Sequence, residues 1–378
     1  ALDVDASALT SLDNDANDVV QVLDDTIVRP VLAESAPLVQ ADQAWAAGYD
    51  GTGTTIAILD TGVESSHPFL AGKVVEEACY SGDIPGLTTS FCPNGLSEQI
   101  GPGAATPCWL DGCYHGTHVA GIAAGNGAGA SMPFSGVAKG ANIMAVQVFS
   151  QIDNALACGG VAPCLGGFTS DILAGLERVY TVAASRNVVA VNMSLGEGQF
   201  FAQCDTQPYK PLIDSLRSIG VASVAAAGND GHTSSIMTPA CVSTAVSVGA
   251  TEKNDEVGWF SNASSFMSLW APGVEIVSSV PDGGFEVLDG TSMASPHVAG
   301  AWAVLKQAAP SASVTDILNA LRTTGKPVHD NRAGGSVTAP RISIYEALAT
   351  LASITNPPPA INSLSPDHAH ATAPNFTL

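Results

Sequence analysis

The chain has 378 residues, 13 Lys+Arg against 35 Asp+Glu, a formal net charge of −22 and 46% hydrophobic residues. Such acidity argues against nucleic acid, whose binding needs Lys and Arg to neutralise phosphates, and against anionic membrane surfaces. The length allows one large domain with an ample core plus something small.

Residues Ala1 to about Arg29 are acidic and contain a short β-like run, Val19–Leu23. Pro30 to Ala36 reads as an extended linker. From Thr54 to Gly249, short apolar runs alternate with helical patterns, which predicts a parallel sheet covered by helices. The expected buried strands are Thr55–Leu59, Ile143–Val148, Val188–Met193, Val221–Ala226 and Ala245–Val248. A helix is expected over Ser170–Ser185, where Ile172, Leu173, Leu176, Val179 and Tyr180 keep helical spacing. Met293–Leu305 reads as a buried helix, and Ser313–Asp316 resembles a capping box before Ile317–Leu321. Ser343–Leu351 is the last expected helix, and Pro357–Pro359 then breaks the pattern as a linker would. No stretch is long and apolar enough to span a membrane.

Eight cysteines lie in Gly/Pro-rich segments, with no C-x-x-C pair among them. An even count of this kind points to disulfides and an oxidising compartment. The expected pairs are Cys158 with Cys164 and Cys204 with Cys241, leaving Cys79, Cys92, Cys108 and Cys113 paired among themselves. The N-terminus shows neither the basic nor the apolar region of a signal peptide, so export is inferred from the cysteines and the chemistry.

Four sites carry candidate chemistry. Ser292 follows a Gly-Thr turn at the head of the Met293–Leu305 run; it reads either as a helix cap or as a nucleophile placed where backbone N–H groups can stabilise an oxyanion. Asp60 ends an apolar strand and precedes Thr61-Gly62, where ligands meet parallel sheets, though a turn aspartate fits equally. His115-Gly116-Thr117-His118 lacks the i, i+4 spacing and acidic third ligand of a helical metal site, so one histidine reads as a general base and the other as a packed residue. Asn192 and Asn229 each end or follow a strand, as turn formers or as an amide donor to an oxyanion.

Taken together, Ile-Leu-Asp-Thr-Gly (58–62), His-Gly-Thr-His-Val-Ala-Gly (115–121) and Gly-Thr-Ser-Met-Ala-Ser-Pro-His (290–297) resemble the three signatures of the subtilisin-like serine proteases. Their chain order, Asp, His, Ser, is that family's order, and the resemblance covers roughly Leu38 to Ala352. It implies a three-layer α/β fold with a mainly parallel central sheet flanked by helices. It also implies Ser292 as nucleophile, His115 as general base, Asp60 as its orienter and Asn229 as oxyanion donor with the Ser292 backbone N–H. Ser194-Leu195-Gly196 matches the edge that pairs with an extended substrate, and Ala226-Ala227-Gly228 matches a wall of the primary specificity pocket.

The implied activity is a secreted endopeptidase of broad specificity acting on protein or peptide substrates, a monomer, with no cofactor required for the chemistry. A catalytically silent binding or adhesion module and a dedicated maturation protease are the alternatives. Phe69 stands where many relatives have a calcium-ligating aspartate, which puts that site in doubt; structural calcium elsewhere stays open, with its ligands unassigned. The expected organisation is 1–36, the C-terminal remnant of an inhibitory propeptide plus linker; 37–353, the peptidase domain; and 354–378, a Pro-rich linker with the start of an IPT/TIG-type β module. Within the first segment Asn17–Asp25 resembles the last propeptide strand, and the propeptide is the expected inhibitor. The cysteine-bearing insertion between Cys79 and Cys113 is expected to brace the His115 loop.

Overall fold

The structure, a computed structural model, describes residues 32–355. The Val19–Leu23 run, the propeptide-like Asn17–Asp25 and the Pro-rich IPT/TIG-like segment lie outside the described residues. Nine helices occur among the described residues: α1 (Leu32–Leu38), α2 (Ala41–Ala46), α3 (His115–Ala124), α4 (Gly127–Ala130), α5 (Thr169–Arg186), α6 (Lys210–Ser218), α7 (Thr291–Ala308), α8 (Val314–Thr324) and α9 (Ile344–Thr355).

The main sheet contains β1 (Thr55–Asp60), β2 (Val74–Tyr80), β3 (Glu98–Ile100), β4 (Asn142–Gln147), β5 (Val188–Met193), β6 (Ala222–Ala226), β7 (Val246–Thr251), β8 (Leu269–Pro272), β9 (Lys326–His329) and β10 (Thr338–Arg341). Its order is β9-β10-β8-β7-β6-β5-β1-β4-β2-β3. The eight inner strands run parallel, and antiparallel β9 and β3 close the two edges.

All five expected strands are present, with ends shifted by up to three residues. They read as continuous apolar runs because both faces are covered. Alternate residues of β1 serve opposite layers. Ile56 and Ile58 join the core under α3 and α7, whereas Ala57 and Leu59 join the core under α5 and α6. The result is the three-layer α/β architecture that the sequence implied.

α7 buries every residue from Met293 to Leu305, and α3 packs directly on it. Small residues permit that approach. A Cβ on Gly300 would come within 2.7 Å of Val137 Cβ and 2.9 Å of the Ala123 carbonyl oxygen. The capping box on α8 is complete: Ser313 Oγ accepts the Asp316 N–H at 3.2 Å, and the Asp316 carboxylate accepts the Ser313 N–H at 2.9 Å. The cysteines pair as Cys79–Cys92, Cys108–Cys113, Cys158–Cys164 and Cys204–Cys241.

One expectation is corrected. Pro30–Ala36 is expected to be an extended linker, but its described part, from Leu32 on, is helical. The reason is tertiary: Ser35 and Ala36 are buried, and Ser35 Oγ lies 2.9 Å from His297 Nε2 on α7. His297 Nδ1 lies 2.8 Å from the Met293 carbonyl, so Nδ1 donates and Nε2 accepts the Ser35 hydroxyl. Burial pulls the His297 pKa down to about 4 against the opposing pull of the Met293 bond.

Two measurements test this packing, both on a Ser292→Ala background. Gly300→Ala will lower the urea midpoint, an overpacking cost of about 1–3 kcal/mol against a helix-propensity gain of about 1 kcal/mol. His297 makes stability pH-dependent. Its folded pKa lies below the ordinary 6.5, so the unfolded chain takes up a proton that the folded one refuses. Stability from this group is therefore complete above pH 6.5 and is lost as pH falls towards 4. Between pH 7 and 4.5 the unmutated chain will lose about 2–3 kcal/mol more than His297→Gln; equal losses in urea titrations would refute this assignment.

Candidate active site

β1 ends on Asp60, which is fully buried. Asp60 Oδ1 accepts the Thr61 N–H at 2.8 Å and lies 2.8 Å from Nδ1 of His115, the first residue of α3. Helix and strand end meet this closely only because residue 116 is glycine: a Cβ there would sit 2.2 Å from the Gly62 carbonyl oxygen. Thr61 joins the two segments again, donating its hydroxyl to the Cys113 carbonyl at 3.1 Å and accepting the Gly116 N–H at 3.0 Å. The Thr61 carbonyl accepts the Cys108 N–H at 3.3 Å and the Gln147 amide at 3.0 Å. The Cys108–Cys113 bridge thus closes a loop gripped at both cysteines by one threonine, directly before His115.

The His115 side chain is 24% exposed. Burial pulls its pKa down, but the Asp60 charge and hydrogen bond outweigh that and hold it above the ordinary 6.5. His118 on the same helix is a packed residue, as one of the two was expected to be. Its Nε2 donates to the Glu286 carbonyl at 3.1 Å, and burial takes its pKa down to about 3.

Ser292 occupies the first turn of α7 and is half-buried. Four residues on, Pro296 has no N–H to give the Ser292 carbonyl. Ser194 Oγ takes that place, donating to the Ser292 carbonyl at 2.7 Å. It also accepts the Asn192 amide at 2.9 Å and lies 2.9 Å from Ser295 Oγ. Ser292 Oγ in turn donates to the Ser194 carbonyl at 3.3 Å. Asp60 is therefore joined to His115, and Ser292 to Ser194; among the described residues no hydrogen bond links the two pairs.

Asn229 follows β6 and is exposed. Its Oδ1 accepts both the N–H and the hydroxyl of Thr291, at 2.9 and 2.8 Å. The oxygen being held, Nδ2 faces the other way, 3.4 Å from where a Cβ on Gly290 would stand. Thr291 Oγ1 also accepts the Gly228 N–H at 3.1 Å. Ala226 and Ala227 are buried, and the Ala227 backbone is bonded to Val248 and Met237, both at 2.9 Å. A Cβ on Gly228 would meet Asn262 Nδ2 at 2.3 Å.

Asn262 had no signal in the sequence. Its Oδ1 accepts the N–H groups of Asp230 and His232 at 3.1 and 3.0 Å, fixing the turn after Asn229. Ser194-Leu195-Gly196 belongs to no sheet; it joins β5 to Glu197–Phe200, which pairs with Ile236–Thr238. Beside it opens a cleft of about 180 Å³ lined by Phe149, Ile172, Leu195, Glu197 and Tyr209.

Phe69 is buried edge-on against Phe134 and Phe285 and offers no oxygen. Among the described residues no group of three or more His, Cys, Asp or Glu side chains is placed to hold a metal ion.

Residues 51–337 match the profile of the subtilase family. The chain belongs to that family. Subtilisin BL of Lederbergia lenta is 37% identical over 299 residues, covering 79% of this chain and 93% of that protein. Alkaline serine exoprotease A of Vibrio alginolyticus is 34% identical over 309 residues, or 81% of this chain. The match spans 48% of that longer relative. Among solved structures, proteases from Pseudoalteromonas arctica PAMC 21717 superpose with a TM-score of 0.65 at 26% identity, over 84% of this chain and 94% of theirs. This subtilase thus carries the subtilisin-like α/β fold.

Its bridges lend themselves to a contrast. The loops they close separate the cysteines by 5 residues for Cys108–Cys113 and 37 for Cys204–Cys241. Chain entropy gives about 2 and about 4 kcal/mol for their removal by paired Cys→Ser substitution. Removing the smaller bridge will nonetheless move His115 more, lowering its NMR-titrated pKa towards 6.5 as the Asp60 contact loosens. An unchanged His115 titration would separate the bridge from the histidine.

Proposed function

We propose that this subtilase is a secreted serine endopeptidase of broad specificity that hydrolyses peptide bonds through an acyl-enzyme. The observation that carries the proposal is the 2.8 Å contact between buried Asp60 and His115 Nδ1, on a helix packed against α7, whose first turn holds Ser292. Ser292 Oγ exchanges its bond to the Ser194 carbonyl for one to His115 Nε2 when substrate arrives, since such contacts tighten in the substrate complex. His115 takes the Ser292 proton during attack on the scissile carbonyl and returns it to the leaving amine. Asp60 keeps Nδ1 protonated and stabilises the imidazolium. The oxyanion receives the Ser292 N–H, a first-turn donor with no helical acceptor, and Asn229 Nδ2. Water then repeats the sequence to free the acid. Every role falls to a side chain or backbone group of this chain, so no cofactor enters the proposal.

The extended substrate lies along Ser194-Leu195-Gly196, with its primary side chain beside Ala226-Ala227-Gly228. The small residues there support breadth. Four disulfides support an oxidising, extracellular setting. The propeptide-like stretch before α1 supports maturation by self-cleavage, with the cut N-terminal to Leu32 because Ser35 is bonded into the core; an intact N-terminus in active enzyme would contradict it.

The test pairs the chain with Ser292→Ala on casein and a peptide library, with a fluorophosphonate as label. Only the unmutated chain will cleave and be labelled; equal cleavage by both would remove Ser292 from its role, and cleavage by neither would favour a silent module. Asn229→Ala will lower kcat by about 10²–10³, the magnitude known for this donor in subtilisin. His115 must be neutral to act as base, so kcat/KM will fall on the acid side with a midpoint above 6.5.

A further inference from the structure

We propose that this subtilase binds a small tetrahedral oxyanion, inorganic phosphate or sulfate, in the cleft between α6, α8 and the loop before β7, held by Arg217 and Arg322. The cleft has a volume of about 210 Å³, and its polar lining includes Arg217, Arg322, Ser243, Ser268, Thr315 and Asn319. It shares no residue with the candidate active site.

The charge pattern points to an anion. Of the six described arginines, Arg178, Arg186, Arg332 and Arg341 each pair with a carboxylate. Arg217 and Arg322 do not, although the chain has 35 acidic residues to 13 basic ones. The acid nearest in influence, Asp214, is already taken up by Lys210 and by the Thr244 hydroxyl at 2.6 Å. Asp316, at the head of α8, is turned back onto Ser313. Two guanidiniums thus face one polar cavity, neither of them in an ion pair among the described residues, with the charge of Asp214 reaching Arg217 only from beyond salt-bridge distance.

They are also aimed. Arg217 Nη1 donates to the Thr244 carbonyl at 3.2 Å and Nη2 to Thr315 Oγ1 at 3.0 Å, while Arg322 Nη2 donates to Ser268 Oγ at 3.3 Å. Each guanidinium has five N–H donors, so these bonds fix both forks while leaving donors for a ligand. Burial first, and then repulsion by Arg217, holds the Arg322 pKa below its ordinary value. A dianion between the two relieves both effects. Thr315 is the second residue of α8, so the helix N-terminus adds its own preference for negative charge. A tetrahedral oxyanion can receive both forks and the Ser268 and Thr315 hydroxyls at once, whereas the Ser243 hydroxyl is given to Asp205 at 2.7 Å.

The test uses the Ser292→Ala chain at constant ionic strength, with calorimetric titration and thermal unfolding in phosphate, sulfate, acetate or chloride. Phosphate and sulfate are expected to bind saturably and raise Tm, with acetate and chloride giving no such rise. Arg322→Gln is expected to weaken phosphate binding by about tenfold or more. Arg322→Glu supplies a counter-charge to Arg217, so it will raise Tm in anion-free buffer and abolish the phosphate response. Equal shifts from chloride or acetate would overturn the site, as would undiminished phosphate binding by either variant or absence of heat in the unmutated pocket.

Discussion

A proline without an N–H sets the arrangement on which the rest of the site depends. Pro296 interrupts the hydrogen bonding of α7 one turn after Ser292, and the carbonyl it leaves open is bonded by Ser194 at 2.7 Å. The end of β5 is thereby fastened to the start of α7. A buried, unpartnered carbonyl at that position would be costly, and the Ser194 hydroxyl removes the cost while holding Ser194-Leu195-Gly196 next to Ser292. The defect in the helix and the placement of the serine are one feature.

A second constraint concerns distance. Strand β1 and helix α3 bring Asp60 and His115 together only where the intervening atoms are few, and Gly116 is the point of closest approach. α3 and α7 meet on the same terms at Gly300. These glycines are chosen for the absence of a side chain at a contact, since layers as dense as these leave no room for one. Thr61 then ties the strand end to the disulfide loop by two bonds and to α3 by a third, so the histidine is approached from both sides by fixed backbone.

Much of this was legible beforehand. The strand Val188–Met193 and the pair Cys158–Cys164 are as expected, because an apolar run and a separation of 6 residues report local chain behaviour; Cys204–Cys241 is also as expected, although its separation of 37 carries no such local signal. The three motifs carried the family and the fold. What escaped were contacts between distant segments. Pro30–Ala36 reads as a linker in the sequence, since nothing near Ser35 announces His297, 262 residues away. Asn262 was silent for the same reason, and its value lies wholly in the turn it meets. Pro296 was visible but uninterpreted: a missing donor acquires meaning only when the group that replaces it is known.

The bond between Ser35 and His297 has a consequence for endurance. Proteins that share a medium with proteases are worn away from exposed ends, and how far the erosion runs depends on where the chain first becomes inseparable from the core. Among the described residues α1 is already such a point. Removing it would bare a buried imidazole on the helix that carries Ser292 and open the layer beneath to water. Trimming past Ser35 would take away the hydroxyl that His297 Nε2 accepts. The first helix among the described residues is thus a point past which wear reaches the core.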